Sequence, residues 1–198
     1  MIARDDVLSF WFGPVGDPSY PRARFDIWFN GGDAVDAEIR ERFGPHLDAA
    51  RDGAFDDWLA TPRGRLALVI LLDQFPRNAF RDTPRMYAYD ERALDLALEG
   101  LELGVEAALH PLEVSFLLLP LEHAEHIGLQ RMCVRYFERL HQRTPEPLRG
   151  FIASGLDYAI RHRVVVERFG RFPHRNELLE RPSTPMELAF LDSDEAPF

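Results

Sequence analysis

Two phrases in this chain place charged side chains just beyond a Phe-Pro step: "LLDQFPRNAFRD" from Leu71 to Asp82, and "FGRFPHRNELLER" from Phe169 to Arg181. In the first, Pro76 disfavours helical geometry at Phe75 and removes a backbone donor, so the apolar helix before it should end near Gln74. Asp73 then falls in the last turn, where the helix dipole disfavours a carboxylate by ~0.3–1 kcal/mol. Such a carboxylate calls for a partner. Arg77 and Arg81 are nearest in sequence, and Arg175 of the second phrase is a distant alternative. In the second phrase Gly170 ends a helix and Pro173 stiffens the exit, releasing Arg171, His174, Arg175 and Asn176 in one short stretch. Arginine offers a planar fork suited to carboxylate or phosphate, and asparagine supplies both donor and acceptor. If the two exits are loops that meet, they form an anion-receptive pocket with Asp73 inside. The same residues also read as well-made turns, with asparagine bonding its own backbone and arginine covering helix carbonyls.

A third stretch, "PLEHAEHIGLQ" from Pro120 to Gln130, gathers ligand-capable groups. On a helix Glu122 and His126 lie four apart, while Glu122 and Glu125, and likewise His123 and His126, lie three apart, so they share or adjoin a face. The register supplies neither the Glu-x-x-His pairs of a carboxylate-bridged di-iron site nor the His-Glu-x-x-His of a zincin helix. His162 is the best distant ligand, but on the apolar stripe of its own helix it reads more simply as a hydrogen-bonded core histidine. Ligand count and spacing fall short of a metal site, so no metal and no cofactor is expected. A Glu/His network paired with the arginines remains, and histidine titrates near the pH where acid-base work is done.

Composition narrows the classes further. The chain has 198 residues, 46% of them hydrophobic, with 23 basic against 33 acidic residues and a net charge of -10. Every basic residue is arginine. The acidic balance argues against a nucleic-acid surface, and the absence of lysine excludes a lysine Schiff base and a Walker-type phosphate loop. The lone Cys133 excludes an intrachain disulfide or cysteine-based zinc site, and its Met132, Val134 and Phe137 neighbours make it a small core hydrophobe. There is no Gly-x-Ser-x-Gly elbow. The first twelve residues do not resemble a signal peptide, and the apolar run from Leu66 to Leu72 is far short of the ~20 residues of a membrane helix. The expected location is cytoplasmic, away from membranes.

The elements that must position these groups are helices. Asp5 is expected to cap a helix through "VLSFWF" that stops at Gly13-Pro14. A short helix entered at Pro21 ends at Gly31-Gly32, and Asp33 caps the next. Thr61-Pro62 opens "RGRLALVILLDQ", apolar almost all round and therefore central. Thr83-Pro84 repeats that start signal, and the next helix ends near Gly104. "HPLEVSFLLLPLEHAEHIGLQRMCVRYFERLHQ" is one long pattern expected to kink or break at Pro120. Thr144-Pro145 opens a helix ended by Gly170, Thr184 and Glu187 form a capping box, and "LDSDEAPF" is a frayed tail. Trp11 and Trp28 belong to the core, with one of them available to line a pocket. The prediction is an all-α fold of roughly eight to ten helices in a single domain over residues 1–198. No tandem period of the ~34 residues that mark helical arrays is legible.

Taken in order, "VLSFWFG", "LALVILLDQFPRNAFRDT", Asp90 with Ala93, "LPLEHAEHIGLQ", and "RFGRFPHRN" with "STPMELAFL" after it resemble the motifs of a helical bacterial family, domain of unknown function 924 (DUF924). The likeness spans nearly the whole chain. It implies an all-helical right-handed superhelix similar to tetratricopeptide-repeat folds, and no established activity. The family's motif positions fall on Trp11, Asp73, Gln74, Arg77, Asn78, Arg81, Glu122, His123, Glu125, Gln130, Arg171, Arg175 and Asn176. At His126, where the pattern implies an acidic residue, the chain departs from it, which leaves Glu122, His123 and Glu125 as the better candidates.

Three functions compete. The leading one is a site between helices that binds, and potentially turns over, a small anionic metabolite, with Glu122 or His123 as the acid-base group and arginines holding the substrate's charge. The second is a helical scaffold for a peptide or partner protein. The third is a metal-dependent hydrolase or oxidase. A monomer or homodimer fits any of these.

Overall fold

A computed structural model describes residues 2–13, 24–29 and 32–193. Every regular element among them is helical. The expected helix entry at Pro21, the stops at Pro14 and Gly31, and the end of the C-terminal tail lie outside the described residues. The chain divides into two compact units, Met1–Val105 and Glu106–Phe198.

The first unit is built around α5 (Pro62–Asp73), in which every residue from Gly64 to Asp73 is buried. Thr61 caps it by accepting the Gly64 N–H at 3.1 Å, with Pro62 at the first position, as its sequence predicts. Gly64 is obligatory here, because a Cβ would sit 2.1 Å from the Trp58 carbonyl oxygen. Around α5 pack α1 (Arg4–Phe12), α4 (Leu47–Arg51) and α7 (Asp90–Glu102). Phe10, Trp11, Phe43 and Phe75 fill one end of this core with tilted and edge-on rings. A short helix, α2 (Phe25–Phe29), and α3 (Gly32–Arg42) complete the unit. Two start signals differ in detail: Ala3 rather than Asp5 precedes α1, with Asp6 accepting its N–H at 2.8 Å, and Asp33 lies inside the first turn of α3.

The Phe-Pro step ends α5 at Asp73, but no loop succeeds it. Phe75–Ala79 forms a five-residue helix, α6, with Pro76 in the first turn, where a missing N–H costs nothing. Arg77 and Asn78 are thus held on a helix packed against α3.

The second unit packs α8 (Pro111–His123), α9 (Ile127–Arg143) and α10 (Arg149–Phe169) together, with α11 (Pro185–Leu191) against the turn Pro173–Arg175. Two expectations are corrected. α8 runs through Pro120 to His123, because the buried side chains on either side, Leu117, Leu118 and Leu121, outweigh one lost hydrogen bond. The break comes at Ala124–His126, so "EHAEH" does not lie on one helix, and the shared face expected of Glu122, Glu125 and His126 does not exist. The second correction concerns Thr144-Pro145: α10 starts only at Arg149, and Thr144 instead closes α9 by donating its hydroxyl to Leu140 O at 2.6 Å. Gly170 ends α10 at φ 73°, and Thr184 and Glu187 form the predicted box on α11.

Candidate functional site

The first Phe-Pro phrase is a set of clamps inside the first unit. Arg77 forks onto Asp90 at 2.8 and 3.0 Å, lies 3.6 Å from the Asp73 carboxylate and donates to the Asp73 carbonyl. Burial opposes the guanidinium charge, yet the two aspartates outweigh it and raise its pKa. Asp73 is thereby paired within its own turn, with Gln74 Nε2 donating to Oδ2 at 2.5 Å. Asn78 donates to Asp36 at 2.8 Å, and Arg81 forks onto the same carboxylate at 2.7 and 3.0 Å. Burial raises the Asp36 pKa, but the Arg81 and Asn78 hydrogen bonds bring it below its ordinary value. Trp11 is a core residue, packed edge-on to Phe75, with its carbonyl accepting the Trp28 indole N–H.

In the second unit the second phrase carries clamps of the same kind. Arg171 forks onto Glu187 at 2.6 and 2.8 Å, which lowers the Glu187 pKa to about 2. Glu125 accepts the Phe172 N–H at 2.8 Å and a fork from Arg181 at 2.6 and 2.9 Å; burial pushes its pKa up, but these bonds bring it down. Arg181 also donates to Asn176 Oδ1 and Phe172 O, and Asn176 donates to Ser183. Gln130 is fully buried and turns its amide nitrogen onto the carbonyls of Glu122 at 2.6 Å and Ala124 at 2.8 Å, satisfying the frayed end of α8.

A different kind of cluster surrounds Phe172 in the same unit. The His162 ring meets Phe172 edge-on at 5.4 Å, His174 lies 5.6 Å from that ring, and the Arg175 guanidinium stands 4.7 Å over it. His123 is 6.4 Å from His162 between centroids. Glu122, 5% exposed, brings Oε1 to 3.5 Å from His162 Nδ1, whose closer partner is the Tyr158 carbonyl at 2.9 Å. Burial lowers the His162 pKa to about 3; the Tyr158 carbonyl opposes this, and His123, Arg175 and His174 add to it. His174 is lowered to about 4 by burial and by Arg175. Both rings are therefore neutral at physiological pH. Because a carbonyl can only accept, neutral His162 carries its proton on Nδ1, and Nε2 holds the basic lone pair. Cys133, fully buried, is inert: burial and nearby Glu122 both raise its thiol pKa. Among the described residues no three His, Cys, Asp or Glu side chains form a group that could hold a metal ion.

A family model described as a bacterial protein of unknown function, DUF924, matches residues 7–195. The chain belongs to this family. A solved structure, a protein of unknown function, Atu0120, from Agrobacterium tumefaciens, is 36% identical, with 96% of each chain covered and a TM-score of 0.80. No curated protein matches. Among the described residues no helix is long and apolar enough to cross a membrane.

The DUF924 motif residues that carry polar groups thus fall into three sets. Asp73, Gln74, Arg77, Asn78 and Arg81 lie in the first unit, each bonded to neighbours there; Glu125, Arg171 and Asn176 tie down the turn after α10, and Gln130 holds the end of α8. Glu122, His123 and Arg175 belong to the cluster around Phe172, which His174, outside the motif positions, joins. His162, assigned to the core from its apolar stripe, is also a member of that cluster. Sequence reasoning does not single out Arg181, nor the acceptors Asp36 and Glu187 as partners of the motif arginines. The signal for Arg181 is its place in the "RNELLER" run; for His162 it is a titratable ring on an otherwise apolar stripe.

Proposed function

We propose that the cluster formed by Glu122, His123, His162, His174 and Arg175 binds a small anionic metabolite. The observation that carries this reading is the gathering of two imidazoles, His162 and His174, and the Arg175 guanidinium around the Phe172 ring, with the His123 ring next to His162. Burial above all, and then the neighbouring His123 and Arg175, keep His162 and His174 unprotonated, an arrangement that a core built only for stability has no use for. An anion placed among them reverses that field. It raises the histidine pKa values and draws in protons as it binds. Arg175, whose guanidinium stands 4.7 Å over the Phe172 ring, is the cation assigned to the ligand. For turnover, Glu122 and His123 supply the acid-base pair, with His162 Nε2 as a further proton acceptor.

Isothermal titration calorimetry with inorganic phosphate, acetate and citrate at pH 5.5 and 7.5 tests it. Binding is expected to tighten at the lower pH and to be lost in Arg175→Gln. The reading fails if none of the anions releases heat, or if a folded Arg175→Gln binds as the parent does.

A further inference from the structure

A second surface, independent of that site, lies along α9 and α10. Arg131, Arg135, Arg139 and Arg143 recur every fourth residue of α9 and are all exposed, which sets a stripe of guanidinium groups along one side of the helix. Between Ile127 and Phe169 eight arginines stand against four acidic residues, a local charge of +4 in a chain whose total is -10. Between the two helices runs an open groove of about 350 Å³, lined by Arg131, Val134, Arg135 and Glu138 of α9 and by Ile160 and Arg163 of α10. Ile160 is 36% exposed, and Val164, one turn further along α10, is 49% exposed. Arg131 and Arg163 both reach Glu167, at 2.8 and 3.1 Å. Arg135 has no ion-pair partner among the described residues, and with Arg131, Arg135 and Arg163 against Glu138 and Glu167 the groove keeps a net positive charge.

We propose that this groove docks an acidic amphipathic helix of a partner protein. The charge pattern selects the occupant: Asp or Glu residues four apart meet the α9 arginines, and an adjoining apolar stripe covers Val134, Ile160 and Val164. This is helix-in-groove recognition, in which apolar anchors supply the affinity and rim charges supply the choice of partner and the on-rate. A strongly acidic chain repels other acidic proteins in general, so a basic groove confines their approach to one face.

The test is selection from a randomised library of helix-forming peptides on the parent protein, with affinity then measured on two variants. Enriched peptides are expected to carry acidic residues at four-residue spacing beside an apolar stripe. They should lose about tenfold or more in affinity for Arg135→Glu, and again for Ile160→Asp, and weaken as salt rises. Arg135 is exposed and unpaired, so its reversal leaves the fold intact and decides the matter even where Ile160→Asp fails to fold. The proposal is overturned if no peptide is enriched, if enriched peptides lack the acidic pattern, or if they bind Arg135→Glu as they bind the parent. Displacement of the peptide by single-stranded DNA at equal concentration would assign the groove to nucleic acid. Self-association of the parent that vanishes in Arg135→Glu would assign it to a second copy of the chain. Either result overturns the proposal.

Discussion

Arg181 illustrates how much of the second unit hangs on a single guanidinium. It spans from Glu125 to Asn176 and the Phe172 carbonyl, and thereby fixes the turn that presents His174 and Arg175. Truncation in Arg181→Ala removes a two-bond charge-assisted pair and leaves Glu125 with its backbone donor, a loss of about 2–3 kcal/mol that urea unfolding would register. Lysine cannot reproduce the fork, so Arg181→Lys is expected to recover less than half of it. How each arginine is engaged is not legible from residue type. Arg77 and Arg175 both come after a Phe-Pro step, yet one forks onto Asp90 and the other stands over Phe172. What separates them is the residue each meets across the fold.

At the scale of the element, the Thr-Pro signal shows both the strength and the limit of reading helix starts. It occurs at Thr61, Thr83, Thr144 and Thr184. Thr61 and Thr184 accept a backbone N–H three residues on, and each opens an α-helix. Thr83 and Thr144 instead donate their hydroxyls backwards, to Phe80 O and Leu140 O. After the first of these comes a 3₁₀ turn, and after the second no helix until Arg149. A hydroxyl is donor and acceptor at once, so the signal is ambiguous until the preceding turn is known. The break after α8 has the same character. Its carbonyls are satisfied by Gln130, which comes from the next helix. Gln130→Ala is expected to cost about 1–3 kcal/mol, because buried carbonyls lose their donor. Faster amide exchange around Leu121 to His126 would mark the local loosening, and an unchanged exchange pattern would contradict the role given to Gln130.

For the molecule as a whole, acid is the condition that should matter most. His162 and His174 are held neutral with pKa values of about 3 and 4, against 6.5 for the free ring. The unfolded chain therefore binds more protons than the folded one throughout that window. Stability is fully present above about pH 6.5 and is lost as pH falls towards 4 and below, by up to about 1.4 kcal/mol per pH unit for one buried imidazole. Glu187 adds a loss of the same sign between its ordinary 4.5 and about 2. Urea unfolding monitored by circular dichroism from pH 7.5 to 4.5 should show this slope, and His162→Phe should flatten it. A denaturation midpoint independent of pH over that range would exclude buried neutral rings. The anion proposed for the Phe172 cluster should steepen the dependence of binding on pH in the same interval, since it stabilises the protonated forms.

The chain by itself determined that every element among the described residues would be helical, where α5, α10 and α11 would begin or end, and that α5 would be buried. These features depend on residues within one or two turns of each other: a hydroxyl and an N–H three positions on, a glycine free to turn left-handed, an apolar run without a polar face. Only the tertiary structure decided which polar residues are committed to one another. Asn78 and Asp36 are 42 residues apart, and Arg181 and Glu125 are 56 apart. Such pairs form because packed helices bring them together, and no local preference encodes the meeting. The same holds for His162, whose apolar stripe correctly implies burial, while the imidazoles and guanidinium around it arrive from α8 and from the turn after α10.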